Sequence, residues 1–299
     1  MPSRRVALRW VALTYLGLLV VAPLAMVFFS TFKDGVAPVV AAITRPAAVS
    51  ALLLTMAIAV LAVAANTLFG VWCALQLARG RFRGKALLNA VIDLPFAVSP
   101  VVIGLALLAV YGRAGWWGGW LIEHGVPVIF SLPGMVLATA FVSLPFVVRE
   151  VEPVLRELGT EQEQAAATLG ASSRQILWRI TLPSIRRAIA YGVVLTTARA
   201  LGEFGAVSVV SGRLAGRTQT LTLYVEERFQ AFDMTGAYSA SIVLAILALL
   251  TLVGMRRLSA GHPAPALRAA SPPEGRGRGG AGWLPLGERF YPGVRGNQA

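Results

Sequence analysis

Arg199 and Glu203 stand four residues apart inside an otherwise apolar stretch, residues 188–211. In a helix this spacing puts both side chains on one face. A charge at the centre of a bilayer costs about 2.5–3.5 kcal/mol on insertion scales, so such residues face a partner or a polar pathway. Two interpretations stay open. Either the pair is mutually neutralising, although Glu after Arg is the less favourable order, or Arg199 shapes a polar route for an anion and Glu203 holds it in place.

A second interruption lies in residues 86–111, where Pro95 and Pro100 break the hydrogen-bond ladder of a helix. Broken helices at membrane depth are tolerated where they line protein or a water-filled cavity. Ser99 could then offer a hydroxyl to a solute, and a proline kink without solute contact is equally compatible with the sequence. The predicted translocation pathway comprises Arg199, Glu203, Ser99 and Ser208.

Covalent catalysis has no support in the sequence. A P-loop needs Gly-x4-Gly-Lys-Ser/Thr to hold phosphates, whereas "GRFRGKA" (80–86) has the wrong spacing and lacks the hydroxyl residue. No Ser/His/Asp set or carboxylate pair with a plausible cleft is evident. Two histidines and the single Cys73 give no usual metal-ligand pattern. We therefore predict that the chain is not an enzyme and binds no cofactor or metal itself.

A polar, Ala-rich stretch, "EQEQAAATLGASSRQILWRITLP" (161–183), separates two apolar segments. Thr160 with Glu163, and Ser172 with Gln175, have the spacing of capping boxes. The pattern predicts two short helices.

Gly170, between these helices, is suited to a left-handed cap, and Pro183 is expected to stop the second helix. Helices this short are marginal alone in water, so another surface must pack on them. Ala165 and Ala166 allow close approach. The partner is either the chain's own cytoplasmic ends or a separate protein.

The elements that position these residues are membrane spans. Of the 299 residues, 56% are hydrophobic and 14% charged, with a mean hydropathy of +0.68, whereas a soluble domain has roughly 25% charged residues. A span needs about 20 apolar residues. Six stretches qualify: 10–30, 50–78, 86–111, 128–148, 188–211 and 238–255. We predict an all-α membrane domain with six transmembrane helices over 1–258, and a disordered Pro/Gly/Arg-rich tail over 259–299.

The net charge of +13 is distributed as a topology signal rather than as a nucleic-acid surface. With an inside N-terminus, 20 of the 27 basic residues fall inside, six outside and one within a span. This bias fits the positive-inside rule. It predicts that both termini and the loop 149–187 are cytoplasmic, in contact with membrane lipids but not with nucleic acid.

The loop carries a recognisable pattern: Ala-Ala, three residues, Gly, nine residues, Ile-x-Leu-Pro. It resembles the signature of ABC-transporter permeases, whose leading Glu is replaced here by Gln164, with Glu163 next to it. The resemblance implies the ABC importer permease (MetI/ModB-like) fold, and a coupling helix that inserts into a groove of the ATPase subunit. The implied coupling residues are Glu163, Gln164, Ala165, Ala166, Gly170, Ile180, Leu182 and Pro183.

Three further stretches narrow the resemblance: "DLPFAVSPVVIGL" (93–105), "PGMVLATAFVSLPFVVREVEPVL" (133–155) and "ARALGEFGAVSVVSG" (198–212). They resemble the CysW family of sulfate/thiosulfate permease subunits, over roughly 10–258. "ARALGEFGA" and "GRTQTL" (216–221) are also similar to molybdate permeases of the ModB type, so molybdate or tungstate stays an alternative substrate. Both branches carry tetrahedral oxyanion dianions.

The resemblance implies a complex in the prokaryotic cytoplasmic membrane. Its expected partners are a CysT-like second permease subunit, a CysA-like ATPase dimer that binds the ATP, and a periplasmic or lipid-anchored binding protein that delivers sulfate or thiosulfate. A self-contained secondary anion transporter is the competing class. It would need inverted repeats and several intramembrane carboxylates, and the sequence has neither.

Overall fold

The computed structural model describes residues 2–259, and all regular elements among them are helical. The tail predicted at 259–299 lies outside the described residues apart from Ser259. The helices are α1 Pro2–Leu16, α2 Ala22–Phe32, α3 Val36–Ile43, α4 Pro46–Arg79, α5 Lys85–Ala97, α6 Pro100–Tyr111, α7 Gly118–Glu123, α8 Leu132–Leu158, α9 Glu161–Thr168, α10 Ser173–Ile176, α11 Leu182–Leu201, α12 Gly205–Val210, α13 Leu221–Gln230 and α14 Met234–Ser259. Single π-helical turns, Gly17–Val21 and Leu177–Thr181, precede α2 and α11.

Four stretches are long and apolar enough to cross a membrane as single helices, and they coincide with four of the six predicted spans. They are Arg9–Phe32, Pro46–Arg79, Leu132–Leu158 and Met234–Thr251. At 1.5 Å per residue the 34 residues of α4 extend over about 50 Å. That length exceeds the roughly 30 Å hydrocarbon core, in keeping with the tilt or protrusion expected of this span.

The predicted span 86–111 is a pair of helices, α5 and α6, whose axes differ by 116°. The bend lies at Val98 and Ser99, which have extended backbone angles. Pro100 then occupies the first position of α6, where its missing N–H costs no helical hydrogen bond. Pro95 lies inside α5, so the interruption is at the second proline.

The predicted span 188–211 is likewise interrupted. Helix α11 begins earlier, at Leu182, and ends at Leu201. After Gly202, Glu203 and Phe204 the chain resumes as the short α12. The two interrupted segments meet, because a Cβ atom at Gly205 would lie 2.9 Å from Cβ of Pro100. Helices α6 and α12 therefore pack at their broken ends.

The central packing joins α4, α8 and α11 around Val147. A Cβ atom at Gly70 of α4 would lie 2.8 Å from Cβ of Val147, and one at Gly192 of α11 would lie 2.9 Å from its Cα. At both positions there is room for the hydrogen atom of glycine but not for a Cβ atom. Glycine on two neighbours thus lets three membrane helices approach at one point, as small residues do in membrane helix interfaces.

Candidate functional site

The loop below α8 folds as two short helices bent about Gly170, as predicted. Helix α9 ends at Thr168, Gly170 has φ +85°, and α10 begins at Ser173. A Cβ atom at Gly170 would meet no atom within 4 Å. The glycine is therefore required by the left-handed backbone and not by crowding.

The predicted capping box of α10 is confirmed. The Ser172 backbone N–H donates to Oε1 of Gln175 at 2.8 Å, and the Gln175 N–H donates to the Ser172 hydroxyl at 3.4 Å. This reciprocal pair satisfies two backbone donors that a helix start leaves without partners. It fixes the direction in which α10 leaves the bend.

The capping box predicted at Thr160 and Glu163 is wrong. Thr160 makes no side-chain cap to the helix, and its hydroxyl instead accepts from the Gln164 amide at 3.0 Å. The Glu163 carboxylate is taken by more distant partners: Thr181 donates to it at 2.9 Å and Arg79 at 3.3 Å. Tertiary contacts have replaced the local one.

Arg79, the last residue of α4, is a part of the site that the sequence reasoning missed. Its guanidinium also donates to the carbonyl oxygen of Gly159, the residue that follows the last turn of α8. Arg79 thus holds both the entry to the loop and its first turn at Glu163. The sequence signal for Arg79 is its place at the end of a span, which by itself indicates only topology.

Pro183 does not stop the helix as predicted. It is the second residue of α11, which follows the π-helical turn Leu177–Thr181 directly. In a regular helix the Pro183 ring would clash with the carbonyl four residues earlier, and a π-turn widens the ladder at that place. The Ser184 hydroxyl donates to the carbonyl of Ile180 at 2.6 Å.

The side chains at the tip of the loop are exposed. Gln164, Ala165 and Gly170 are exposed, Ala166 and Ile180 are half-buried, and Leu169 is 88% exposed. Leu182 packs against the core formed by α4, α8 and α11. The structure therefore places the predicted coupling residues on one continuous loop, with its tip outward and its end in the core.

Arg199 and Glu203 form an ion pair, with Nη1 and Oε2 at 2.8 Å, and Glu203 is buried. The pair spans the end of α11, so the preference for Glu before Arg within a continuous helix does not govern it. The other carboxylate oxygen of Glu203 accepts from the N–H of Ala206 at 2.9 Å. Glu203 thus joins the two sides of the interruption, and Arg199 remains one-third exposed.

The two predicted pathway serines occupy different settings. Ser99 precedes α6, is exposed and makes no cap with its side chain. Ser208 is half-buried and donates its hydroxyl to the carbonyl of Gly205 at 2.8 Å. The contact between Pro100 and Gly205 brings both chain breaks together, whereas the two hydroxyls form no hydrogen bond with each other among the described contacts.

Asp93 belongs to a charge network that the sequence reasoning did not anticipate. Arg149 donates to Asp93 at 2.8 Å and to Glu152 at 3.1 Å. Arg156 donates to Glu152 at 2.6 Å and to the carbonyl of Leu77 at 3.1 Å. The buried Glu152 is therefore neutralised from both sides, and the network ties α5 and α8 to the end of α4.

A further ion pair lies outside the spans. Arg45 contacts Asp233 at 2.5 Å. The backbone N–H of Gly236, which donates to Asp233 at 2.9 Å, and then the Arg45 guanidinium lower the pKa of Asp233 below its ordinary value of 3.8. The same pair raises the pKa of Arg45. The contact fixes the start of α14 against the start of α4.

No group of three or more His, Cys, Asp or Glu side chains within residues 2–259 could hold a metal ion.

Comparison with known proteins identifies a family. Residues 66–260 match the family described as binding-protein-dependent transport system inner membrane component. The chain is 51% identical over 242 residues to the sulfate transport system permease protein CysW of Synechocystis sp., covering 81% of this chain and 88% of the relative. It is 47% identical over 234 residues to CysW of Escherichia coli strain K12, covering 78% and 80%.

A second kind of sulfate permease is also similar. CysT of Escherichia coli strain K12 is 38% identical over 247 residues, covering 83% of this chain and 89% of the relative. Among solved structures, a bacterial ABC transporter involved in the import of alginate superposes with a TM-score of 0.72 at 16% identity, covering 86% of this chain and 95% of that one. That likeness concerns the fold alone.

Proposed function

Because this chain belongs to the family of binding-protein-dependent transport system inner membrane components, a family of transport subunits, we propose that it is the permease subunit of an ATP-driven importer of sulfate or thiosulfate. Its relatives named CysW, up to 51% identical, are sulfate permeases. The observation that carries the proposal is the loop between α8 and α11, which is bent at Gly170 and exposed at Leu169.

The loop suits the transfer of movement from a cytoplasmic ATPase to the spans. Its tip is exposed, whereas its two ends are tied to spans by Arg79 of α4 and by Thr181 before α11. A force on Leu169 would therefore reach α4 and α11 together. ATP would be bound and hydrolysed by the partner, a CysA-like dimer, and the difference in free energy between its nucleotide states would shift the permease between inward- and outward-open forms.

The anion would pass near the paired interruptions of α5–α6 and α11–α12. Polar groups at membrane depth normally face a partner or a pathway, and Arg199 keeps one-third of its side-chain surface exposed although it is paired with Glu203. Ser99 is exposed and directly precedes Pro100, which packs against Gly205. A weakly cationic route of this kind suits a tetrahedral dianion, and Ser208 would line it from α12.

The proposed complex has further partners. A CysT-like second permease subunit fits the large apolar surface that the chain leaves uncovered, including a groove of about 470 Å³ between α4 and α11 lined by Met56, Val60, Leu68 and Val193. A periplasmic or lipid-anchored binding protein would deliver the anion to the face opposite the loop. In this scheme both termini of the chain are cytoplasmic, as the distribution of arginines indicates.

Reconstitution tests the proposal. Proteoliposomes that contain this chain, the second permease, the ATPase and the binding protein should take up radiolabelled sulfate when ATP is supplied. Excess thiosulfate should compete, and excess molybdate or tungstate should not. Liposomes with this chain alone should take up nothing. Uptake by the chain alone would instead identify a secondary transporter, and competition only by molybdate would assign the other oxyanion branch.

A further inference from the structure

A cleft of about 490 Å³ lies between the turn that joins α4 to α5 and one face of α9. Arg79, Arg81 and Lys85 line it from the turn, and Glu163 and Gln164 line it from α9. The coupling role proposed above uses Arg79 and Glu163 but does not explain the cleft or its other cations.

The cleft has an excess of positive charge. Glu163 is the single carboxylate among its lining residues, and it pairs with Arg79 at 3.3 Å. Within the described chain, Arg81 and Lys85 form no ion pair with a carboxylate, although the Lys85 ammonium donates to the carbonyl of Gly80 at 3.3 Å. Three cations thus face one anion.

The α9 wall of the cleft adds no second negative charge. A second polar side chain on this wall of the cleft is that of Gln164. Its amide is neutral and donates to Thr160.

The cleft lies where two membrane segments end. Arg79 is the last residue of the 34-residue span α4, and Lys85 is the first residue of α5. We infer that it binds a phosphate- or sulfate-type oxyanion through Arg79, Arg81 and Lys85. The source is either the headgroup of an anionic phospholipid or the free anion.

Two arms of one experiment separate these sources. The full transporter complex is placed in nanodiscs of phosphatidylcholine with or without phosphatidylglycerol, and retained phosphatidylglycerol is counted by native mass spectrometry. In phosphatidylcholine alone, sodium sulfate is titrated and binding is followed by calorimetry. Retained phosphatidylglycerol identifies the lipid source, and saturable sulfate binding that is weakened by substitution of Arg81 or Lys85 identifies the free anion in the cleft.

The variants are Arg81→Gln and Lys85→Gln, and the matched control is Arg83→Gln, an exposed arginine of the same turn that does not line the cleft. Each test variant should weaken binding about fivefold, since one basic residue near a membrane contributes about that factor. The control should leave binding unchanged.

Equal weakening by Arg83→Gln would show unselective charge attraction and overturn the site. Absence of both ligands from the wild-type complex would do the same, for example because the ATPase fills the cleft. Sulfate uptake is measured separately, so the loss of this site would leave the proposed transport function untouched.

Discussion

Thr181 donates a hydrogen bond of 2.9 Å to Glu163, 18 residues earlier in the chain. The bond closes the loop into a unit whose two ends meet, with Gly170 at the opposite extremity. Arg79 then attaches this unit to α4 through Glu163 and Gly159. The loop therefore has an exposed bend at Gly170 and a fixed end at Glu163, which is bonded to Thr181 and Arg79.

Glu163→Ala should weaken the hold of α4 on the loop, because it removes the acceptor shared by Thr181 and Arg79. Hydrogen bonds of this kind are worth about 0.5–1.5 kcal/mol net, so affinity for the ATPase should fall by about twofold to twelvefold in a titration with detergent-solubilised permease. Glu161→Ala, an exposed acid in the same turn without an ion pair among the described residues, is the matched control. An equal loss in both variants would contradict the anchor.

Gly170→Asp should weaken association with the ATPase by about fivefold to thirtyfold while membrane insertion stays intact. A side chain at φ +85° costs about 1–2 kcal/mol, and the added charge lies next to the exposed Leu169. Gly170→Asn is the comparison, because Asn visits the left-handed region more readily. Co-purification of Gly170→Asp with the ATPase at wild-type yield would refute this.

Arg199→Ala should lower sulfate uptake more than it lowers the yield of assembled complex. The change leaves Glu203 as a buried carboxylate without its cation, and breaking a buried pair costs about 3–5 kcal/mol. The double variant Arg199→Ala/Glu203→Ala removes that penalty. Should the double variant regain wild-type uptake, the pair is structural; persistent loss of uptake with normal assembly supports a place on the route.

Gly192→Ala should destabilise the helix packing, because its Cβ atom would lie 2.9 Å from the Cα of Val147, a backbone atom that yields little. Overpacking of this kind typically costs about 1–3 kcal/mol. The melting temperature in detergent should fall. Gly254→Ala, where a Cβ atom meets nothing within 4 Å, should not lower it, and equal melting of the two variants would count against the close approach.

Asp233 should stabilise the fold in a pH-dependent manner. Its pKa is lowered on folding by the Gly236 N–H and by Arg45, so its contribution is present above its ordinary value of 3.8 and is lost as the pH falls below it. The difference in melting temperature between the wild type and Asp233→Asn should therefore be largest at neutral pH and should shrink under acid conditions.

Features that depend on neighbouring residues were predictable from the sequence. The helical class, the matched spans and the capping box of Ser172 with Gln175 follow from apolar stretches and short-range hydrogen bonds. The left-handed Gly170 follows from the absence of a Cβ atom. The break near Pro100 was expected as well, but the 116° angle was not, because it depends on the packing of α6 against α12.

Features that depend on distant partners were not predictable. Glu163 has the spacing of a capping residue, but its carboxylate accepts hydrogen bonds from Arg79, 84 residues away, and from Thr181. Pro183 has the properties of a helix stop, but the π-helical turn before it accommodates its ring and the helix continues. In both cases the expectation came from neighbouring residues alone, and the folded chain satisfies the same groups in a different way.

The contact of Val147 with Gly70 and Gly192 has a mechanical consequence. Val147 packs directly against a glycine of each neighbouring helix, so α4, α8 and α11 have no free space between them there and would move as one rigid unit. Any rearrangement that opens a passage must then occur where the helices are interrupted, beside Pro100 and Gly205. The three packed helices would rotate together, and the bend angles at the two interruptions would change.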